Sequence, residues 1–169
     1  MAKTIDELIE RINVEKDREK LYRWYQNGHK NNLPEIMTAA LGRAIHLKAQ
    51  GFNPEDKFEN AVFHALAGYE IALSIKNDRR TAAQRTRELL KRLKPLGAMK
   101  YLMDSPDEKY GLELLTSMQL AEFTFESVVV TFPKYFETYQ VNIAEERLEE
   151  IFQTRNSGFE YPKINRNLF

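Results

Sequence analysis

Helix start and stop signals follow one another along almost the whole chain, and they favour an all-α fold. Thr4 and Glu7 form a capping box, because the Thr4 hydroxyl can accept the N–H of the third helical residue while Glu7 reaches back. Pro34 and Pro54 suit the first position of a helix, where no N–H donor is needed. Patterns of strand-like alternation are missing from the sequence. We therefore expect a helical bundle of about five to seven helices.

These signals also predict the bounds of the helices and the organisation of the chain. A length of 169 residues corresponds to one domain. We expect a single helical domain over 1–158 and an extended tail over 159–169, whose five large apolar side chains favour docking over fraying. The expected helices cover 5–26 with a hinge at Asn13, 34–50, 54–76, 79–94, 106–131 and 134–155 with a new cap at Asn142, and a short turn covers 98–103.

The predicted helix over 106–131 carries two apolar faces. At 100° per residue, the two sets are Tyr110, Leu114, Met118, Ala121, Phe125, Val128, Val129 and Phe132 on one face, and Leu112, Leu120, Phe123 and Val130 on the other. A helix that is apolar on two sides is central in its bundle or is covered by another subunit.

Two other helices carry small residues one or two turns apart. Ala40 and Ala44 lie on the first, and Ala61, Ala65 and Gly68 lie on the second. Small side chains let helix axes approach closely. We expect these two helices to pack on each other or on the central helix.

The chain has no net charge, but its basic and acidic residues are concentrated in different segments. The 25 basic residues equal the 25 acidic residues in number. Residues 76–103 nevertheless contain nine basic and two acidic residues, whereas 104–153 contain three basic and eleven acidic residues. This separation favours self-complementary association in a homo-oligomer, or a protein partner, ahead of nucleic acid.

The basic helix over 79–94 is the candidate site for nucleic acid or another polyanion. Its buried stripe is flanked by a row of four cations, with Arg85 and Arg92 on the opposite flank; the row is Arg80, Arg87, Lys91 and Lys94. Such a row could neutralise about four phosphates. The alternative is a solvated helix face that meets the acidic region of the same fold or of a second subunit.

No cofactor is predicted, and the candidates for a metal or acid–base site are few. Glu122 and Glu126 stand one turn apart, and His64 lies on a helix that could face them. The alternative is two boundary glutamates with His64 hydrogen-bonded in the core. The chain has no cysteine, no phosphate-binding glycine loop and no G-x-S-x-G motif.

Residues 23–29 (RWYQNGH) place Arg23 and His29 in an R-x5-H spacing. This spacing is similar to the R-x4–6-H signature of the helical ribonuclease domains called HEPN. The resemblance implies that Arg23 and His29 would act on a 2′-hydroxyl and the scissile phosphate, in a dimer that brings two such pairs together. Those domains keep the motif near a helix start, whereas Gly28 is expected here to end the helix.

The remaining expectations concern location and activity. The first residues lack the apolar stretch of a signal peptide, and no 18 consecutive residues are apolar. We expect a cytoplasmic protein that is not in a membrane. The sequence favours a non-catalytic interaction or self-associating module, with polyanion binding as the alternative, and a ribonuclease-like or metal-dependent enzyme as a weaker one.

Overall fold

The computed structural model describes residues 2–105, 110–154 and 161–169. In these ranges the chain forms eight α-helices and no strand, which confirms the all-α bundle with a count slightly above the expected one. The helices are α1 Ile5–Asn13, α2 Arg18–Lys30, α3 Pro34–Gln50, α4 Lys57–Asn77, α5 Gln84–Asp104, α6 Tyr110–Ser117, α7 Phe125–Thr131 and α8 Thr138–Thr154. Short 3₁₀ turns cover Ala121–Phe123, Pro133–Tyr135 and Arg166–Leu168.

Helix α4 is the central element of the bundle. It contacts α3, α5, α6 and α7, and its buried residues extend around most of its circumference. Its first half packs with α5, α7 and α8 in one apolar cluster, while its second half packs with α1, α2, α3, α6 and residues 164–169 in another. The small residues behave as predicted: α3 packs on α4, and a Cβ added at Gly68 would lie 2.9 Å from the Phe123 carbonyl oxygen.

The prediction of one continuous helix over 106–131 is wrong. The chain leaves helical geometry after Ser117, and Gln119 has a positive φ of 59°. A new helix, α7, begins after Thr124, whose hydroxyl accepts the N–H of Ser127 at 3.2 Å. Residues 106–109, where the predicted start falls, lie outside the described residues.

This break explains the two apolar faces of the segment. Leu115 and Met118 pack with the cluster around α3, whereas Val128 and Val129 pack with the cluster around α5 and α8. Each half therefore buries its apolar side chains against its own chain.

The predicted first helix is two helices, separated around the expected hinge at Asn13. Helix α2 begins after Asp17, whose carboxylate accepts the N–H of Glu19 at 2.9 Å. The helix continues past Gly28 to Lys30, contrary to the expected stop. Gly28 instead permits close packing on α3, since an added Cβ would lie 2.9 Å from Met37 Cγ.

Three further helix starts differ from the prediction. Helix α4 begins at Lys57 because the carboxylate of Asp56 accepts the N–H of Glu59 at 2.7 Å. Helix α5 begins at Gln84 and includes the predicted turn over 98–103 after a kink at Lys94, which precedes Pro95 and has a φ of 62°. Helix α8 begins at Thr138 and runs through Asn142 without a new cap. Its predicted end at 155 and the boundary at 158 lie outside the described residues.

Residues 161–169 lie along α2, α3 and the end of α4. The Tyr25 hydroxyl donates to the Pro162 carbonyl oxygen at 2.6 Å, and the Tyr161 hydroxyl lies 2.6 Å from Thr38 Oγ1. Phe169 is buried between Tyr22 and Tyr25, with ring centroids 5.9 Å from each. This segment therefore completes the apolar cluster around α3.

Candidate functional site

The four cations of the predicted row have different surroundings. Two of them, Arg80 and Arg87, form hydrogen bonds with other residues of the chain. Arg87 ion-pairs with Glu70 of α4: its Nε and one terminal nitrogen donate to the two carboxylate oxygens, the second at 2.7 Å. Its guanidinium also lies over the ring of Phe52, 5.1 Å from the centroid. Arg80 Nε donates to the Asn167 carbonyl oxygen at 2.6 Å.

Glu70 is the reason for the position of Arg87. Its side chain is fully buried, and it also accepts the Ala83 N–H at 3.0 Å and lies 3.2 Å from Lys48 Nζ. Burial alone would raise the pKa of Glu70, but Arg87, the Ala83 N–H and Lys48 together lower it below its ordinary value. This cluster joins α3, α4 and α5, so Arg87 serves the packing of the bundle.

Lys91 and Lys94 are exposed, and the kink in α5 separates their environments. Lys94 occupies the kink itself, whereas Lys91 lines an open groove of about 810 Å³ between the two arms of α5. Arg85 and Arg92 line the same groove, with Glu88 as its acidic residue. The structure thus groups Lys91 with the two cations that the sequence places on the opposite flank.

The floor and rim of this groove have different chemistry. Leu89 and Leu102 are buried beneath it, and Tyr101 lines it with half of its surface exposed. In the part of the chain that the structure describes, Arg85, Lys91 and Arg92 form no ion pair. We call this surface the α5 groove: an apolar floor, an exposed aromatic ring and a cationic rim.

Within the residues that the structure describes, the acidic side chains of the region 104–153 form no ion pair with the cations of the α5 groove. Helix α8 packs on the second arm of α5, where the Tyr139 hydroxyl donates to Asp104 at 3.0 Å. Glu145, Glu146 and Glu149 are nevertheless exposed and form no ion pair within residues 2–105, 110–154 and 161–169. We call these three residues the α8 acidic face.

The three candidates for a metal or acid–base site do not converge. Glu122 is exposed, and Glu126 is buried and ion-paired with Arg147 at 3.3 Å. His64 hydrogen-bonds to His46 instead. Among the residues described, no three His, Asp or Glu side chains are placed to hold a metal ion together.

The contact between His46 and His64 could not be predicted from the sequence, because His46 lies on another helix, α3, and belongs to no local motif. His64 Nδ1 lies 2.7 Å from the Asn60 carbonyl oxygen, so it donates there, and its Nε2 then accepts from His46 Nδ1 at 3.0 Å. The ring of His64 stacks on Phe123. Burial, then His64, then Arg43 lower the pKa of His46.

We expect the free energy of unfolding to fall as the pH drops below about 6.5, because unfolded His46 takes up a proton that the folded protein resists. Urea unfolding followed by circular dichroism between about pH 5 and pH 8 measures this slope. The variant His46→Gln should reduce it. An identical slope in the wild type and in His46→Gln would contradict the expectation.

Arg23 and His29, the pair of the ribonuclease resemblance, are not side by side. Six residues on a helix place them about 120° apart, and both lie on α2. Arg23 is exposed, 3.6 Å from Glu19, whereas His29 Nε2 lies 3.0 Å from the Tyr161 carbonyl oxygen. The structure therefore does not assemble the pair within one chain.

The fold and surface define an all-α bundle with a cationic groove on a kinked helix. None of the helices in the described ranges has both the length and the apolar character that a membrane crossing requires. Comparisons with protein-family models, with curated proteins and with solved structures find no match.

Proposed function

We propose that this protein is a non-catalytic interaction module that self-associates, placing the α5 groove of one copy against the α8 acidic face of another. The observation that carries the proposal is the absence of ion pairs on both surfaces within the described part of the molecule. They are opposite in charge and lie on two helices that pack together. Complementary charge of this kind selects partners and speeds association.

The position of the two surfaces supports a closed dimer. Because α5 and α8 are neighbours, a two-fold axis can bring each groove to the partner's acidic face, so that the same contact forms twice. The half-exposed ring of Tyr101 adds apolar surface that water would otherwise cover.

A charge swap tests this proposal. We expect the paired changes Arg85→Glu and Arg92→Glu, or Glu145→Lys and Glu149→Lys, to weaken self-association at least about tenfold, because each creates repulsion at the contact. Carrying all four changes in one chain restores complementarity and should restore association. Sedimentation equilibrium at low and high salt measures both effects, and salt should weaken the wild-type contact.

The matched control changes charge by the same amount elsewhere. Lys57→Glu with Lys134→Glu alters two exposed cations outside both surfaces and should leave association unchanged. A wild-type protein that stays monomeric at every concentration contradicts the proposal. A fourfold variant that does not recover self-association also contradicts the proposal. Single-stranded nucleic acid that binds the wild type, but not Arg85→Glu with Arg92→Glu or the fourfold variant, would instead favour the polyanion alternative.

A further inference from the structure

A second open groove, of about 470 Å³, lies between α1 and α2, away from the α5 groove. Its volume falls within the range of small-molecule sites, about 300 to 1,000 Å³. The lining includes three cations, one carboxylate, one amide and one indole, which belong to Arg11, Lys20, Arg23, Glu15, Asn27 and Trp24. Neither the charge separation of the sequence nor the proposed self-association uses this groove.

The loop between α1 and α2, which carries Glu15 of the lining, is fixed by one hydrogen bond from α3 and two within the loop. Arg43 of α3 donates through Nε to the Glu15 carbonyl oxygen at 2.7 Å. The Glu15 carboxylate folds back on its own loop, where one oxygen accepts the N–H groups of Lys16 and Asp17, each at 3.0 Å. The Asp17 N–H lowers the pKa of Glu15, so this carboxylate keeps its negative charge and is held within its own loop.

The three cations of the lining outnumber its one carboxylate, Glu15, which interacts electrostatically with Lys20. Arg11 and Lys20 form no ion pair with any residue in the described ranges. Arg23 has only the exposed contact with Glu19 at 3.6 Å, and exposed pairs of this kind are weak and easily exchanged. An anion that enters the groove would therefore meet guanidinium and ammonium groups that are available to it.

Trp24 supplies the aromatic surface of the site, beside the cations. It is the one tryptophan of the chain, and its half-buried ring packs against the apolar cluster around α3. Its indole N–H has no hydrogen-bond partner in the part of the chain that the structure describes. The ring is held by the core on one side and borders the groove on the other. Aromatic side chains held in this way stack on nucleobases without strong sequence preference.

We infer that the groove between α1 and α2 binds a nucleotide, with the base on Trp24 and the phosphates between Arg11, Lys20 and Arg23. A nucleotide joins a flat aromatic ring to several negative charges, which is the combination that this lining complements. The Asn27 amide can donate to, or accept from, the edge of the base or the sugar.

The fluorescence of Trp24 tests the inference directly, because no other tryptophan contributes. We expect ATP to quench it in a saturable way, with N-acetyltryptophanamide correcting for absorption by the nucleotide. Arg11→Gln with Lys20→Gln should weaken ATP binding at least about tenfold, and raising the salt from about 50 mM to about 200 mM should weaken it further. Lys57→Gln with Lys134→Gln is the control and should bind ATP as the wild type does.

Two partial ligands separate the contributions of base and phosphate. Adenosine and inorganic tripolyphosphate should each bind at least about tenfold more weakly than ATP, since each lacks one half of the recognised chemistry. The inference is overturned if millimolar ATP causes no quenching, if the control pair weakens binding as much as the groove pair, or if tripolyphosphate binds as tightly as ATP. A short single-stranded oligonucleotide that binds far more tightly than ATP would also overturn it, in favour of nucleic acid.

Discussion

Replacing Arg147 by methionine is expected to lower the free energy of unfolding by about 3 to 5 kcal/mol. Arg147 of α8 is 8% exposed and lies 3.3 Å from the buried carboxylate of Glu126 on α7. Its guanidinium also donates to carbonyl oxygens near the end of α5, those of Leu102 and Met103 in the last turn and that of Ser105, which follows the helix. Methionine keeps much of the apolar stem but removes every one of these donors, so that the buried carboxylate loses its ion pair with Arg147 and the end of α5 loses its side-chain donors.

Urea unfolding followed by circular dichroism measures the loss. Arg147→Lys should retain part of the stability, because one ammonium group replaces the charge but not the planar set of donors. Arg92→Met is the matched control, since Arg92 is exposed and its replacement should change stability by no more than about 0.5 kcal/mol. A loss of less than about 1 kcal/mol in Arg147→Met would show that α5, α7 and α8 do not depend on this contact.

The second large effect is expected at Glu70, where Glu70→Gln should lower the free energy of unfolding by about 2 to 3 kcal/mol. The amide presents N–H groups to Arg87, Lys48 or Ala83, which are all donors. The loss stays below that of a fully buried pair because Lys48 and Arg87 are about one third exposed and water screens them.

The pH dependence of this variant follows from the lowered pKa of Glu70. The folded protein holds the carboxylate ionised more strongly than the unfolded chain does. Glu70 therefore stabilises the fold above its ordinary pKa of 4.5, and this contribution disappears as the pH falls through the lowered value. Glu70→Gln should accordingly lose less stability than the wild type between neutral and acid pH.

A double-mutant cycle separates the ion pair from other effects of the change. Glu70→Gln and Arg87→Gln should together cost clearly less than the sum of the two single changes. Glu19→Gln is the control, because its pairs with Arg166 at 2.7 Å and with Arg23 at 3.6 Å lie at the surface and should together contribute no more than about 1 kcal/mol. Strict additivity at Glu70 and Arg87 would contradict a direct contribution of the pair.

The sequence predicted the parts of the fold that depend on a few neighbouring residues. The capping box at Thr4 and Glu7 is present, with hydrogen bonds of 3.1 and 3.2 Å. Helix α3 has the predicted bounds, Pro34–Gln50, with Pro34 at its first position, where no N–H donor is needed. Where two start signals compete, the prediction is wrong: Pro54 predicts a helix start at 54, whereas the Asp56 carboxylate accepts the Glu59 N–H and caps the helix that begins at Lys57.

The candidate site was less predictable, because it depends on contacts between distant elements. The four cations of the predicted row are equivalent in a helical projection, yet only Lys91 lines the α5 groove. Arg87 pairs with Glu70, 17 residues earlier in the chain, and Arg80 donates to the Asn167 carbonyl oxygen, 87 residues later, so neither cation lines the groove. The signal that could have revealed the groove was Pro95, which bends the helix and sets Arg85 and Arg92 around a concave surface.

The sequence by itself determined the all-α class and the separation of charge, because capping, helical period and composition act within one or two turns of a helix. Only the tertiary structure decided that α4 is the central helix, that 106–131 divides between two apolar clusters, and which charges are already paired. These outcomes depend on which buried carboxylate, glycine or aromatic ring faces each helix. Such contacts join residues far apart in the chain, and no local pattern encodes them.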